Sequence, residues 1–448
     1  MQLVFILQMH FNTNKYCQYW LIILFYQIKA YFRNQTIQQK LKMFIRKYLK
    51  NLAFGRYNFS TQVQKQGGNL YLWQGSTFTS TSDLKPVLVK VCDESGKQLN
   101  NQIQKVVLGQ NVSALITTDG HLYTFGEGKF GGLGHNDGKD YKEPKHLEFF
   151  AKKNLRVVDV VCGNSYMMAL THDGDVWTWG WGGKGRNIIM QQFFSFAGAL
   201  GHGDQKHHYS PQPVQALRKL PQIKSISGGL YFALAMNVDN GLYYWGRGSH
   251  GAFGDGYSKD LLLPRSHNYF EVLQKTEKIT IKSLKSCNYY TVAHLSDGKL
   301  VGWGSNDYGQ MGINNEIGVE MHETSPYPSI VHSETFTSPV EDFQIAEDVV
   351  VIRLQNGEIH FSGMKLAYLP KKFELPTEAG KIKTFGAAFR SFAIVDEFNN
   401  IFMKNKFLKT DKENIKTGVY TADNTLFDKG NILSIGGTYR THYAVVQH

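Results

Sequence analysis

Seven short segments of the chain share one pattern, a turn followed by an apolar and aromatic strand that usually ends in glycine. They are GNLYLWQG from Gly68, DGHLYTFG from Asp119, DGDVWTWG from Asp173, NGLYYWG from Asn240, DGKLVGWG from Asp297, NGEIHFSG from Asn356 and NNIFMKN from Asn399. The turn residues Gly68, Gly120, Gly174, Gly241, Gly298, Gly357 and Asn400 recur at intervals of 43 to 67 residues. Such a recurrence describes an array of like units, each burying one face only by stacking on its neighbour.

Asp-Gly and Asn-Gly predict two-residue type I′ hairpins with positive φ at both central residues. The arm before each turn is apolar and often carries a small residue at its start. Gly109 and Gly163 stand 11 residues before their turn glycines, and Cys287 takes the same place before Gly298, so it reads as a small buried residue and not as a nucleophile. A second glycine cluster follows the aromatic strand in GGLGHND, GALGHGD, GAFGDG and GQMGINN, from Gly131, Gly198, Gly251 and Gly309. With 44 glycines and 19% charged residues, the composition suits many short strands and excludes a coiled coil.

The order small residue, apolar arm, Asp-Gly, aromatic strand, Trp-Gly, Gly-x-Leu-Gly-His resembles the repeat of the regulator of chromosome condensation family. The resemblance runs from Gly67 to His448, strong in the units ending at Asp137, Asp204, Gly256 and Asn315 and weak around Gly357 and Asn400. It implies a seven-bladed β-propeller. The terminal NILSIGGTYRTHYAVVQH reads as the first two strands of a unit, and GNLYLWQG as its missing second half. The expected fold is therefore all-β, a seven-bladed propeller over 67–448 whose last blade is closed by N- and C-terminal strands.

Several motifs lose their force once the repeat is seen. Three matches to G-x-G-x-x-G, at Gly126, Gly180 and Gly246, share one repeat phase and precede no helix, so they read as turns and not dinucleotide sites. His202 and Asp204, beside His207 and His208, occupy the places of His135 and Asp137, which favours repeat structure over a metal site. Four cysteines without C-x-x-C spacing form no disulfide scaffold. The expectation is a non-enzyme with no cofactor and no metal.

The net charge of +12 is concentrated in a leader. No acidic residue precedes Asp83, and ten basic ones do, leaving only +2 for the rest. In MFIRKYLKNLAFGRYNFSTQ, Ile45, Tyr48, Leu49 and Leu52 form a helical stripe that Arg46, Lys47 and Lys50 avoid. Residues 43–60 thus look like a mitochondrial presequence inside a leader of residues 1–66, with 1–42 an unused upstream segment or a weak signal anchor.

Two features fall outside the repeat. The second unit holds an insertion of 13 residues between Gly180 and Gly198, containing Ile188, Ile189, Met190, Phe193, Phe194 and Phe196, apolar enough for a partner contact. Residues 324–363 carry −5 and 364–416 carry +5, the latter offering Lys371, Lys372, Lys381, Lys383 and Arg390 to a protein or to RNA phosphates.

The resemblance implies two functional lines: exchange of guanine nucleotide on a small GTPase, or service within a multi-subunit mitochondrial assembly such as a ribosome or respiratory enzyme. The family's repeat often carries His three positions after the small residue. Val112, Tyr166, Phe232, Tyr290, Val349 and Phe389 are read at that place here, so no exchange residues carry over. The reading is a non-enzymatic interaction scaffold or accessory subunit on the matrix side of the mitochondrion, with exchange factor as the alternative and DNA an unexpected partner.

Overall fold

The computed structural model describes residues 67–74, 86–93, 95–100, 102–183, 198–313, 324–405, 420–422, 427, 429–438 and 441–448. All belong to a compact unit running from Ser60 to His448. The leader of residues 1–66, with its presequence-like 43–60, lies outside the described residues.

Seven four-stranded antiparallel sheets follow one another. Their innermost strands, called A, are Ile103–Leu108, Val157–Cys162, Ile223–Gly228, Ile281–Cys287, Val340–Ile345, Ile382–Ala388 and Asn431–Gly437, in blades I to VII. Blade III shows the full pattern: A is Ile223–Gly228, B Phe232–Asn237, C Leu242–Gly246 and the outer D Leu261–Ser266. Blade VII is composite. Asn431–Gly437 and Thr441–Gln447 supply A and B, while Asn69–Gln74 and Val87–Val89 supply C and D. Leu70 pairs with Val445 and Tyr71 with Ala444, closing the ring as the split repeat implies.

The B–C hairpins depart from the type I′ expectation. In blade I, Thr117 accepts from Gly120 at 2.9 Å and donates its own N–H to His121 at 3.0 Å, leaving a three-residue connection. Only its last residue is left-handed: Gly120, Gly174, Gly298 and Gly357, but Asn240 (φ 66°) and Asn399 (φ 63°) in blades III and VI. There the special residue precedes the expected Gly241 and Asn400 by one. Asparagine tolerates this region better than other side chains. Its amide oxygen also accepts from a strand-A lysine, Lys224 to Asn240 at 2.5 Å and Lys383 to Asn399 at 2.8 Å.

Each hydrophobic core is shared between two blades. Val112, Ile116, Leu133 and Phe150 of blade I pack with Met167, Ala169 and Trp179 of blade II, and six analogous clusters complete the circle. The strand-C tryptophans make the joint directional. Indole N–H groups of Trp179, Trp245 and Trp303 donate to the carbonyls of Gly132, Ala199 and Ala252 at 3.1, 2.9 and 3.2 Å, always in the preceding blade's glycine cluster. Those rings lie where a Cβ on Gly134, Gly201 or Gly254 would stand, 2.6 to 2.9 Å away, and all three glycines have positive φ. In blade V the residue is Ser362, whose hydroxyl donates to the equivalent carbonyl of Gln310 at 2.8 Å.

A second set of polar bonds repeats within blades. Thr124 donates to the carbonyl of Leu133 (2.8 Å) and contacts His135 (3.0 Å); Thr178 does the same with Leu200 (2.6 Å) and His202 (2.9 Å). His202 thus has the structural place of His135, as the repeat phase indicates. At the outside, strands D of blades I to V carry Pro144, Pro211, Pro213, Pro264, Pro326, Pro328 and Pro370. Seven of the 11 prolines in the chain therefore sit where a missing N–H blocks further strand pairing.

Two predictions follow from this architecture. Deleting His442–His448 removes strand B from blade VII; Val445 and Val446 are fully buried, worth about 3 to 6 kcal/mol together, so melting temperature falls sharply, and unchanged melting contradicts the closure. Burial pushes the imidazoles of His135, His202 and His267 from an ordinary 6.5 down to about 4. The unfolded chain then takes up protons that the folded chain refuses, so the stability present above pH 6.5 drains away as pH falls toward 4. A melting temperature flat across that window contradicts these neutral histidines.

Candidate functional site

The ring has two ends, one formed by the A–B turns and the other by the B–C hairpins. Strand C runs toward the A–B end, because Val112 at the start of B pairs with Gly126 at the end of C. The C–D loops therefore emerge at the A–B end too, including both stems of the insertion, Gly183 and Gly198.

Hydrogen bonds pass from blade to blade around the A–B end. Asn111 donates its amide to Asn164 at 3.1 Å, and the Asn164 backbone donates to Leu230 at 3.1 Å. The Leu230 N–H in turn reaches Asn288 at 2.9 Å. The buried Tyr166 hydroxyl donates to the carbonyls of Gly229 (3.0 Å) and Phe232 (2.6 Å), and Tyr290 reaches Ala346 (2.5 Å). Burial pushes both phenols well above their usual range. Between blades V and VI the Arg390 N–H donates to Asp348 at 2.8 Å. These bonds join the A–B turns of blades I to VI one to the next.

The rim presents aromatic groups. Trp181 meets Tyr231 edge-on at 5.4 Å, Tyr231 lies 6.2 Å from Tyr289, and His250 lies 4.5 Å from Tyr289. The Arg247 guanidinium is 5.9 Å from the Tyr231 ring, and the Asn164 amide donates to the Tyr231 hydroxyl. Phe130 and His250, at equivalent places in the loops of blades I and III, both have φ 59° without being glycine. The sequence reading passed over this set. The available signal was positional: Tyr231 and Tyr289 stand immediately before strand B, and Phe130 and His250 immediately before a repeat glycine.

Paired charges link innermost strands of neighbouring blades at two junctions. Lys105 of blade I bonds Asp159 of blade II, and Lys285 of blade IV lies 3.4 Å from Asp342 and 3.1 Å from Gln344 of blade V. Burial pushes the Lys285 amine down while Asp342 opposes the shift, so each lysine has a carboxylate of the next blade beside it.

The basic residues expected to act together are divided. Lys371 and Lys372 lie on strand D of blade V and Lys381 and Lys383 at strand A of blade VI, all toward the B–C end, whereas Arg390 sits in an A–B turn at the other end. Lys372 pairs with Glu358 at 2.9 Å, and that carboxyl is held to about 2 by the Thr337 hydroxyl and Lys372. Lys383 is engaged with Asn399 and Asn431, and burial lowers its amine. One continuous phosphate-binding stripe is not formed, because antiparallel strands send the start and end of strand A to opposite ends of the ring. The structure also moves the sixth repeat position: Ala388 pairs with Ser391, so Ser391 and not Phe389 stands three places after the small residue. Ile188, Ile189, Met190, Phe193, Phe194 and Phe196 lie outside the described residues.

Among the described residues no group of three or more His, Cys, Asp and Glu side chains could hold a metal ion. Cys162 and Cys287 are pushed far up by burial, which leaves them thiols at neutral pH. Replacing Tyr166 by Phe should remove two interblade bonds and cost about 1 to 3 kcal/mol; a denaturation midpoint equal to that of the parent contradicts its role as a tether.

The regulator of chromosome condensation (RCC1) repeat matches residues 119–170 and again 157–186. The E3 ubiquitin-protein ligase HERC2 of Homo sapiens is 31% identical over 215 residues, covering 48% of this chain and 4% of HERC2. The ultraviolet-B receptor UVR8 of Arabidopsis thaliana is 31% identical over 208 residues, covering 46% of this chain and 42% of UVR8. The chain thus spans less than half of either relative's length. Prp20p from Saccharomyces cerevisiae superposes with a TM-score of 0.63 at 16% identity, over 89% of this chain and 94% of that one. Human WBSCR16 does so at 0.62 and 14%, over 85% and 99%. The chain therefore carries regulator of chromosome condensation repeats within residues 119–186, set in a seven-bladed propeller of the fold seen in Prp20p.

Proposed function

We propose that the chain is a non-enzymatic protein-interaction scaffold, serving as an accessory subunit of a large mitochondrial assembly. The observation that carries the scaffold reading is the A–B end. A rim hydrogen-bonded from blade to blade displays Trp181, Tyr231, Arg247 and Tyr289, residue types that dominate binding hot spots, on a surface already ordered before any partner arrives. The buried thiols of Cys162 and Cys287 are held protonated.

The mitochondrial part rests on the leader, where ten basic residues and no acid precede Asp83. The mature body, near neutrality, lacks the broad positive field expected of a DNA binder. Prp20p has been described with its binding properties to Gsp1p and histones, and guanine nucleotide exchange is the competing reading for a propeller of this fold.

The test uses the endogenous protein. A native N-terminus near Ser60, recovery in the mitochondrial fraction and co-sedimentation with a large complex are expected. Faster release of GDP from a small GTPase on adding the purified chain, or a nuclear location, overturns the reading.

A further inference from the structure

We propose that the A–B end of blades II to IV docks an acidic polypeptide segment through Trp181, Tyr231, Arg247, His250 and Tyr289. The proposal rests on the scaffold reading and names the partner chemistry of its surface. The four rings form one chain of contacts at 5.4, 6.2 and 4.5 Å, contributed by loops of three consecutive blades, and each remains partly or fully exposed.

Backbone strain marks the same surface. His250 holds a left-handed conformation directly before Gly251, and Phe130 does so before Gly131. Such a conformation costs a non-glycine residue about 1 kcal/mol or more, and glycine would relieve it. Both loops instead carry an aromatic ring that meets a neighbouring one, His250 against Tyr289 and Phe130 against His207 at 4.8 Å. A ring is kept at a stability cost where it faces outward.

The cations decide the partner's charge. Within this surface the Arg247 guanidinium lies 5.9 Å from the Tyr231 ring, and at the same end of the ring Lys129, Lys365 and Arg390 of blades I, V and VI lie beside Phe130, Tyr308 and Phe389 at 5.0, 5.5 and 4.6 Å. A cation above an aromatic ring offers positive charge beside apolar area, which fits a carboxylate next to an aliphatic or aromatic side chain. Nucleic acid fits less well. The rings meet at 66°, 40° and 31°, so they present edges and tilted faces, not the parallel faces on which successive bases stack.

The full chain is titrated by fluorescence anisotropy into a labelled short peptide alternating Glu and Leu, its Lys-for-Glu counterpart, and oligouridylate. The acidic peptide is expected to bind at physiological salt and the other two to bind far more weakly. Tyr289→Ala should weaken binding at least about tenfold and Arg247→Glu should abolish it. His250→Gly is the diagnostic variant: relief of strain raises its melting temperature while binding falls, a combination that general misfolding does not produce. Equal binding of oligouridylate or of the basic peptide overturns the proposal, as does an acidic peptide that binds all three variants like the parent. If the acidic peptide does not bind while the parent chain still co-sediments with a large complex, the docking chemistry falls and the scaffold reading stands.

Discussion

No blade of this protein owns a core. Each hydrophobic cluster is assembled from strands of two neighbouring blades, so the apolar side chains of any one sheet find their cover only when the next sheet is present. A row of such units ends in two exposed faces unless it closes, and the composite seventh blade closes it by pairing Leu70 with Val445 and Tyr71 with Ala444. The innermost strands of blades VI and VII fit especially tightly. A Cβ at Gly386, whose φ is not left-handed, would stand 1.8 Å from the carbonyl oxygen of Ile435, so glycine is there for space.

Directional bonds sit on top of this non-directional packing and fix how each blade meets the next. The indole N–H of strand C reaches a carbonyl of the preceding blade, and where the tryptophan is lost in blade V a serine hydroxyl finds the equivalent carbonyl. Tyr166 and Tyr290 tether their A–B turns to the following blade, and Lys–Asp pairs link innermost strands of blades I to II and IV to V. A polar group buried without a partner would cost more than these bonds return, which is why losing one of them is expensive. The functional consequence is that loops at the A–B end project from a frame with little freedom, which lowers the entropy lost when a partner binds.

The fold was largely legible because its period is written in turn chemistry. Gly109 and Gly163, the Asp-Gly pairs and the glycine clusters mark places where a side chain would be crowded or the backbone is left-handed, and they recur along the chain. Where drift removed the glycine, the reading slipped. Asn240 and Asn399 carry the left-handed conformation one residue before the expected place, because asparagine can adopt it and a lysine holds its amide. Ser391 was missed in favour of Phe389 because Gly386, a packing glycine, imitates the small residue that opens the A–B turn.

The candidate surface was much less legible. Trp181, Tyr231, Arg247, His250 and Tyr289 span nearly 110 residues of sequence and become neighbours only because the ring sets successive A–B turns and C–D loops side by side at one end. The same geometry separates Lys383 from Arg390, close in sequence but at opposite ends of one strand and its turn. The sequence by itself determined the unit, the number of units and the split of the last one, since these depend on local backbone preference and on alternation of apolar residues. Tertiary structure alone decided which side chains share a surface, because that depends on the order of strands around the axis and on which end of a blade each turn faces.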